Sequence, residues 1–213
     1  MGRSKRDRPA ATAPAPPAPS LESVLQPRAW QGVAYRPLGG AEGDTARALF
    51  TYAALLVPPA SPGELGWGAR ISEDETGDEA GEPRGRVPAD KDAGAAPARV
   101  PAERLIGALL LEPHGAAGMI YGPVVVNHPD PFEVASQLLA ATLPHATALG
   151  ISTVFTRPQG LDRVWVRFGF IPVPERELPK AFKARPGSGL FAWRGGSALW
   201  SRKTGSDELD EVR

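Results

Sequence analysis

Hydrophobic and polar positions divide the chain into segments of two different periods. Gly32-Val33-Ala34-Tyr35-Arg36-Pro37 alternates larger apolar residues with small or polar ones, the period of a half-buried strand, and Pro37 ends it. Ala46, Leu49, Phe50, Ala53 and Leu56 then recur at helical spacing behind Asp44, a residue suited to the N-cap, with Pro58-Pro59 as the stop. Trp67 to Ile71 predicts a second strand. Leu105 to Leu111 is a short unbroken apolar run between Arg104 and Glu112-Pro113, as in a strand covered on both faces. Gly115-Ala116-Ala117-Gly118 supplies a turn and Met119 to Val126 the returning strand, so these two segments predict a central hairpin.

After Asn127-His128-Pro129 the period changes again. Asp130 is a good N-cap, Pro131 suits the first helical position, and Glu133, three residues after the cap, completes a capping-box pattern. Phe132, Ala135, Leu138, Leu139, Thr142 and Ala146 mark one face of the helix. Pro144 cannot donate to the helical ladder and predicts a kink or a division there, at about 3 kcal/mol. Gly150 is the stop. Ile151 to Phe155 is the next strand, parallel to its predecessor because a helix intervenes. Gly160 to Phe168 predicts a short helix with Leu161, Val164, Trp165 and Phe168 on its apolar side, Ile171-Pro172-Val173-Pro174 leads away, and Leu190 to Trp193 and Ala198 to Trp200 read as two strand pieces about Gly195-Gly196. These elements predict a layered α/β (α+β) domain with a mixed, mainly antiparallel central sheet flanked by helices.

Composition refines this outline. A chain of 213 residues suits one domain with accessory segments. Residues 1–27 are rich in Pro and Ala and predict an extended, disordered tail whose basic start, Gly2-Arg3-Ser4-Lys5-Arg6-Asp7-Arg8, reads as solvated. The single domain is expected over 28–203. Within it, at about 72–100, Glu73, Asp74, Glu75, Asp78, Glu79 and Glu82 open a stretch with hardly an apolar side chain larger than Ala, a flexible acidic insertion that is either a solvated loop or a docking loop. Residues 204–213 make an acidic, frayed tail. Twenty-four basic residues balance 24 acidic ones, which argues against a nucleic-acid partner. With no cysteine and three scattered histidines, thiolate chemistry is excluded and a metal site is not expected. No apolar run is long enough to span a bilayer and no secretory signal opens the chain, so a soluble, cytoplasmic protein without a membrane partner is the expectation.

Three local matches carry a resemblance. Val124-Val125-Val126-Asn127-His128-Pro129, then Leu138-Leu139, then Val164-Trp165-Val166-Arg167-Phe168-Gly169-Phe170, together with the element order over roughly residues 30–203, resemble the GNAT N-acetyltransferases: the strand end before that family's pyrophosphate loop, its following helix and its Phe-Tyr-x-x-x-Gly-Phe motif. The resemblance implies a GNAT-like fold and an acyl-CoA-dependent N-acyltransferase. It would transfer an acetyl group to a primary amine, a small molecule or a peptide, by direct attack in a ternary complex with acetyl-CoA as co-substrate. A homodimer is also carried as an expectation. By the same resemblance, the backbone of Val124, Val125 and Val126 pairs with the pantetheine arm, the helix start at Glu133, Val134 and Ala135 holds the pyrophosphate, and Arg163 and Arg167 contact phosphate, unless they belong to a solvated helix face.

Two departures from the family pattern focus the chemistry. The loop motif Gln/Arg-x-x-Gly-x-Gly/Ala falls on Asp130, Glu133 and Ala135, of which only Ala135 conforms. Each carboxylate close to a diphosphate costs about 1 kcal/mol even in water-like surroundings, so weakened or displaced CoA binding is expected. Trp165 stands where the family often has a tyrosine acid; indole cannot protonate a leaving thiolate, and Trp165 reads as core or pocket wall. Glu112 at a strand end, Tyr121 on the returning strand and His128 beside the loop are the remaining candidates for proton transfer. Two other readings stay open: a GNAT-fold binding or regulatory module without catalysis, and a transferase using another acyl donor such as aminoacyl-tRNA, permitted by the basic run Arg176, Lys180, Lys183 and Arg185.

Overall fold

The computed structural model describes residues 20–72, 103–183 and 198–204. Strands β1 (Arg28–Trp30), β2 (Val33–Pro37), β3 (Leu65–Ser72), β4 (Glu103–His114), β5 (Ala117–Val125), β6 (Thr153–Thr156), β7 (Ile171–Pro172) and β8 (Trp200–Lys203) form one sheet ordered 1-2-3-4-5-6-8-7. Only β5 and β6 run parallel; the other neighbours are antiparallel. The mixed, mainly antiparallel sheet that the periodicities predict is present, with helices on both faces.

Strand alternation assigns the core. Leu109, Leu111 and Ile120 turn to one face, where Trp67, Tyr35 and Val154 meet Val134, Leu138 and Leu139 of α3 (Pro131–Ala148) and Val164 and Trp165 of α4 (Asp162–Arg167). Leu110, Tyr121 and Phe155 turn to the other, under Ala46 and Phe50 of α2 (Glu42–Tyr52) and Phe182 of α5 (Lys180–Lys183). Because β4 is covered on both sides, its apolar run is unbroken.

Several expectations are corrected. Residues 20–27 do not continue an extended tail: Ser20 caps α1 (Leu21–Val24), Val24 is buried, and β1 follows and pairs with β2. Asp44 does not cap α2. The helix starts at Glu42, whose carboxylate accepts from the Gly39 amide at 2.7 Å and binds Arg36 and Arg70, a stronger set of partners than a lone cap. The helix ends at Tyr52, where Ala54 takes a left-handed φ of 56°, so Leu56 falls beyond it. Pro144 does not divide α3: packing of Leu138, Leu139 and Leu143, at about 1.5–3 kcal/mol each, outweighs the missing bond. Phe168 caps α4 rather than continuing it, and the last strand piece is Trp200–Lys203 rather than 198–200. The Pro/Ala-rich tail up to residue 19, the acidic insertion, the strand piece at 190–193 and the acidic tail lie outside the described residues, apart from Ser72 and Thr204 at the edges of the insertion and the acidic tail.

Candidate active site

The parallel pairing of β5 with β6 is short. It runs from Ala117 opposite Thr153 to Ile120 opposite Thr156 and stops, so that from Tyr121 onward the two strands part as the arms of a V. Thr156 Oγ1 donates to the Ile120 carbonyl at the apex. Within the V lies a cavity of about 190 Å³, lined on the β5 arm by Gly122, Pro123, Val124 and Val125, on the other by Gln159, Gly160 and Leu161, and closed by Ala53, Leu55 and Pro131. Gly122 has a φ of 90°, and a Cβ there would meet the Phe50 ring at 2.9 Å, so only glycine fits this wall.

Backbone groups without a partner among the described residues face this space. The Val126 amide bonds to the Ile106 carbonyl at 2.8 Å, and ladder alternation therefore turns the amide and carbonyl of Val125 the other way, toward the open side of β5. Pro123 contributes a carbonyl alone, having no N–H. Val124 and Val125 line the cavity, while Val126 packs against the α2 side of the core.

The start of α3 is arranged differently from an anion site. Asp130 Oδ1 accepts the Glu133 amide at 3.0 Å, the Asp130 carbonyl accepts the Val134 amide at 3.3 Å, and Pro131 has no amide to offer. The predicted cap is real, but the reciprocal half of the capping box is not formed: the Asp130 amide donates to His128 Nδ1 at 3.1 Å, and Glu133 Oε1 accepts from Gln137 at 2.7 Å. Val134 and Ala135 are buried in the core. Arg163 and Arg167 lie exposed on α4, and Arg167 reaches Glu133 at 4.0 Å. The two carboxylates are felt in the protein: burial first, then Glu133 and Asp130, push the Tyr35 hydroxyl up to about 12.

On the α2 face of the sheet, the Tyr121 hydroxyl donates to Glu112 Oε2 at 2.6 Å, and both side chains are buried. Of the three proton-transfer candidates, the structure thus pairs Glu112 and Tyr121, while His128 lies in the loop past the end of β5. Trp165 is fully buried, stacks edge-on against Phe170 with centroids 4.9 Å apart, and its Nε1 has no partner among the described residues. That is the core position read from the sequence.

Two features were missed by sequence reasoning. Gln159 spans the mouth of the V with both ends of its amide: Oε1 accepts the Leu56 N–H at 2.8 Å and Nε2 donates to the Leu56 carbonyl at 2.7 Å. Buried Arg157 grips Glu175 with two bonds of 2.6 and 2.5 Å, and this grip holds the Glu175 carboxyl below its ordinary range despite partial burial. Gly122-Pro123 was a readable signal within β5; the Gln159 and Arg157 pairings join distant segments and leave no local pattern.

For coenzyme A the fit divides at the diphosphate. The V, with its open β5 edge, suits the pantetheine arm and the acyl group, whereas the start of α3 keeps only the Phe132 amide unpaired among the described residues and adds two carboxylates. Among the described residues no helix is long and apolar enough to cross a membrane, and no three acidic, histidine or cysteine side chains gather as metal ligands.

No family model and no curated protein matches the sequence. Solved structures do share its architecture. N-acetylglutamate synthase from Neisseria gonorrhoeae, complexed with coenzyme A and L-arginine, aligns with a TM-score of 0.51 and 15% identity over 81% of this chain and 33% of the synthase; the chain thus spans about a third of that protein's length. A Mycobacterium tuberculosis protein in complex with CoA and NLQ aligns with a TM-score of 0.50 and 12% identity over 79% of this chain and 98% of its own. At these identities the likeness is one of architecture alone, and that architecture agrees with the mixed, mainly antiparallel GNAT-like sheet that the resemblance implied.

Proposed function

We propose that this chain is an N-acyltransferase that receives an acyl thioester of the acyl-CoA type, with acetyl the working donor, in the V between β5 and β6 and passes the acyl group to a primary amine. The observation that carries the reading is the cavity at the parting of the two strands, opposite the free backbone edge of Val125. Its volume is below the roughly 300 Å³ at which whole-ligand pockets begin, which matches an acyl group and the end of its arm rather than an entire nucleotide.

The residues divide the work. Val125 offers a donor and an acceptor that orient the arm as an added strand, and Val124 and Leu161 exclude water from the thioester. The Tyr121 hydroxyl, already donating to Glu112, accepts a proton from the attacking amine while passing its own to the carboxylate. A C–N bond forms, the C–S bond breaks, and the proton held by Glu112 returns through Tyr121 to the departing sulfur. Trp165 takes no part. The basic run proposed for an aminoacyl-tRNA donor is diluted by Glu175 and Glu177 on either side of Arg176, which favours the small thioester.

The test is transfer itself: the full chain with acetyl-CoA and a panel of small amines and peptides, following amide product by mass and thiol release by absorbance. Amine-dependent acetylation that falls in Glu112→Gln supports the reading. Absence of product with every amine leaves the binding-module reading, which the carboxylates at the start of α3 favour.

A further inference from the structure

The disagreement at the start of α3 has a chemical meaning beyond the acyl transfer proposed above. A helix start holds a diphosphate through amides that no other group occupies, helped by the positive end of the helix dipole. Here the Phe132 amide is the one first-turn donor left without a partner among the described residues. Pro131 has no N–H, the Glu133 amide is taken by Asp130 Oδ1 at 3.0 Å, and the Val134 amide by the Asp130 carbonyl at 3.3 Å. The Asp130 amide, a fourth donor of the loop, is bonded to His128 Nδ1 at 3.1 Å. Beside that single amide, what remains at the surface of this turn is negative: the side chains of Asp130 and Glu133, of which Glu133 is already fixed by Gln137 at 2.7 Å. Arg167 stands 4.0 Å from Glu133, and with 62% of its side chain exposed it is screened by water and offsets little of that field. Inside the domain, burial first and then these two carboxylates push the Tyr35 hydroxyl up to about 12.

The pantetheine half of the site has none of these obstacles. Apolar residues line the β5 arm of the V, Val125 presents to it backbone groups without a partner among the described residues, and the Gln159 clasp on Leu56 roofs the space with a bonded, neutral amide. A donor recognised here is recognised by its arm.

We infer that this chain takes its donor as a pantetheine thioester held by the arm alone, with any diphosphate beyond the arm left in solvent and unclamped. The inference rests on the V being the donor site. It names a substrate class wider than acyl-CoA: any thioester whose thiol ends in a pantetheine chain, whatever stands beyond its phosphate.

Calorimetric titration of the full chain with two probes, coenzyme A and pantetheine, separates the two claims. Equal affinity, within about threefold, is the expected result, since the nucleotide adds no contact. Glu133→Gln then removes one charge while keeping the bond to Gln137 and the cap by Asp130. It should tighten coenzyme A several-fold and leave pantetheine unchanged. Coenzyme A binding at least about thirty-fold tighter than pantetheine to the natural chain would overturn the inference and leave the acyltransferase reading standing. An unchanged ratio in Glu133→Gln would overturn the assignment of the rejection to that carboxylate. Silence with both probes removes the donor site, and the inference falls with it.

Discussion

Gln159 and Leu56 are joined across 103 residues by a pair of hydrogen bonds, 2.7 and 2.8 Å long, between one side-chain amide and one backbone unit. This clasp lays the segment after α2 over the V and brings Ala53 and Leu55 to the cavity that Gly160 and Leu161 close from the other side. Gln159→Ala removes both bonds and leaves the Leu56 groups to water, costing about 1–2 kcal/mol. The expected outcome is a donor KM raised several-fold with kcat changed less, and a small fall in Tm, measured by steady-state kinetics and thermal unfolding.

The Tyr121–Glu112 bond carries the proton in the proposed reaction. Glu112→Gln keeps shape, burial and an acceptor for the Tyr121 hydroxyl but removes the base, and should lower kcat by about 10²–10⁴, the range for loss of general base catalysis. Tyr121→Phe should lower it comparably, and the double variant should be no slower than either alone because the two act in sequence. Additive losses in the double variant would dissociate the pair.

His145 supplies a pH prediction. It is buried on α3, its Nδ1 accepts the Trp67 indole N–H at 3.2 Å, and burial pushes its pKa below the ordinary 6.5. The unfolded chain therefore takes up this proton before the folded one does. The sign follows: the stability associated with neutral His145 is present above pH 6.5 and is lost as pH falls through the depressed folded value. Denaturant midpoints measured from pH 8 to pH 5 should fall, and His145→Gln, which retains an acceptor but cannot titrate in this range, should flatten that part of the fall.

Gly122→Ala tests the shape of the V. The added Cβ would sit 2.9 Å from the Phe50 ring and 3.1 Å from the Ala108 carbonyl, at a φ of 90°. Backbone conformations of this kind cost about 1–3 kcal/mol for a residue with a side chain, and the clash adds to it. A Tm lowered by several degrees and weakened donor binding are expected; a Tm equal to that of the natural chain would contradict the assigned wall.

Local chemistry explains what was legible in the sequence. The cap of α3 was readable because Asp130, Pro131 and Glu133 act within one turn, and the left-handed Gly150, at a φ of 77°, ends the helix for an equally local reason. The buried hairpin of β4 and β5 was readable because both faces of β4 are covered, leaving an unbroken apolar run. The start of α2 was not, since Glu42 is fixed by Gly39, Arg36 and Arg70, and Arg70 lies on a distant strand. The short helix of Leu21 to Val24 escaped because only one of its side chains, Val24, is buried, and four residues hold no period. Within the candidate site, Val124 and Val125 were named through a family pattern. Gln159 and Arg157 were not, because a polar residue in a loop shows its partner only once the chain is folded.

The V between β5 and β6 as the place where the acyl donor binds is the central claim, and calorimetry with acetyl-CoA tests it most directly when a variant that fills the cavity is measured beside the natural chain. Ala53 lines that space and is only half-buried, so Ala53→Trp blocks it from the edge. One-to-one binding to the natural chain, complete below about 1 mM donor, and its loss in Ala53→Trp with the unfolding temperature little changed are the expected results. No heat at about 1 mM donor, or equal heat from the two proteins, would contradict the claim.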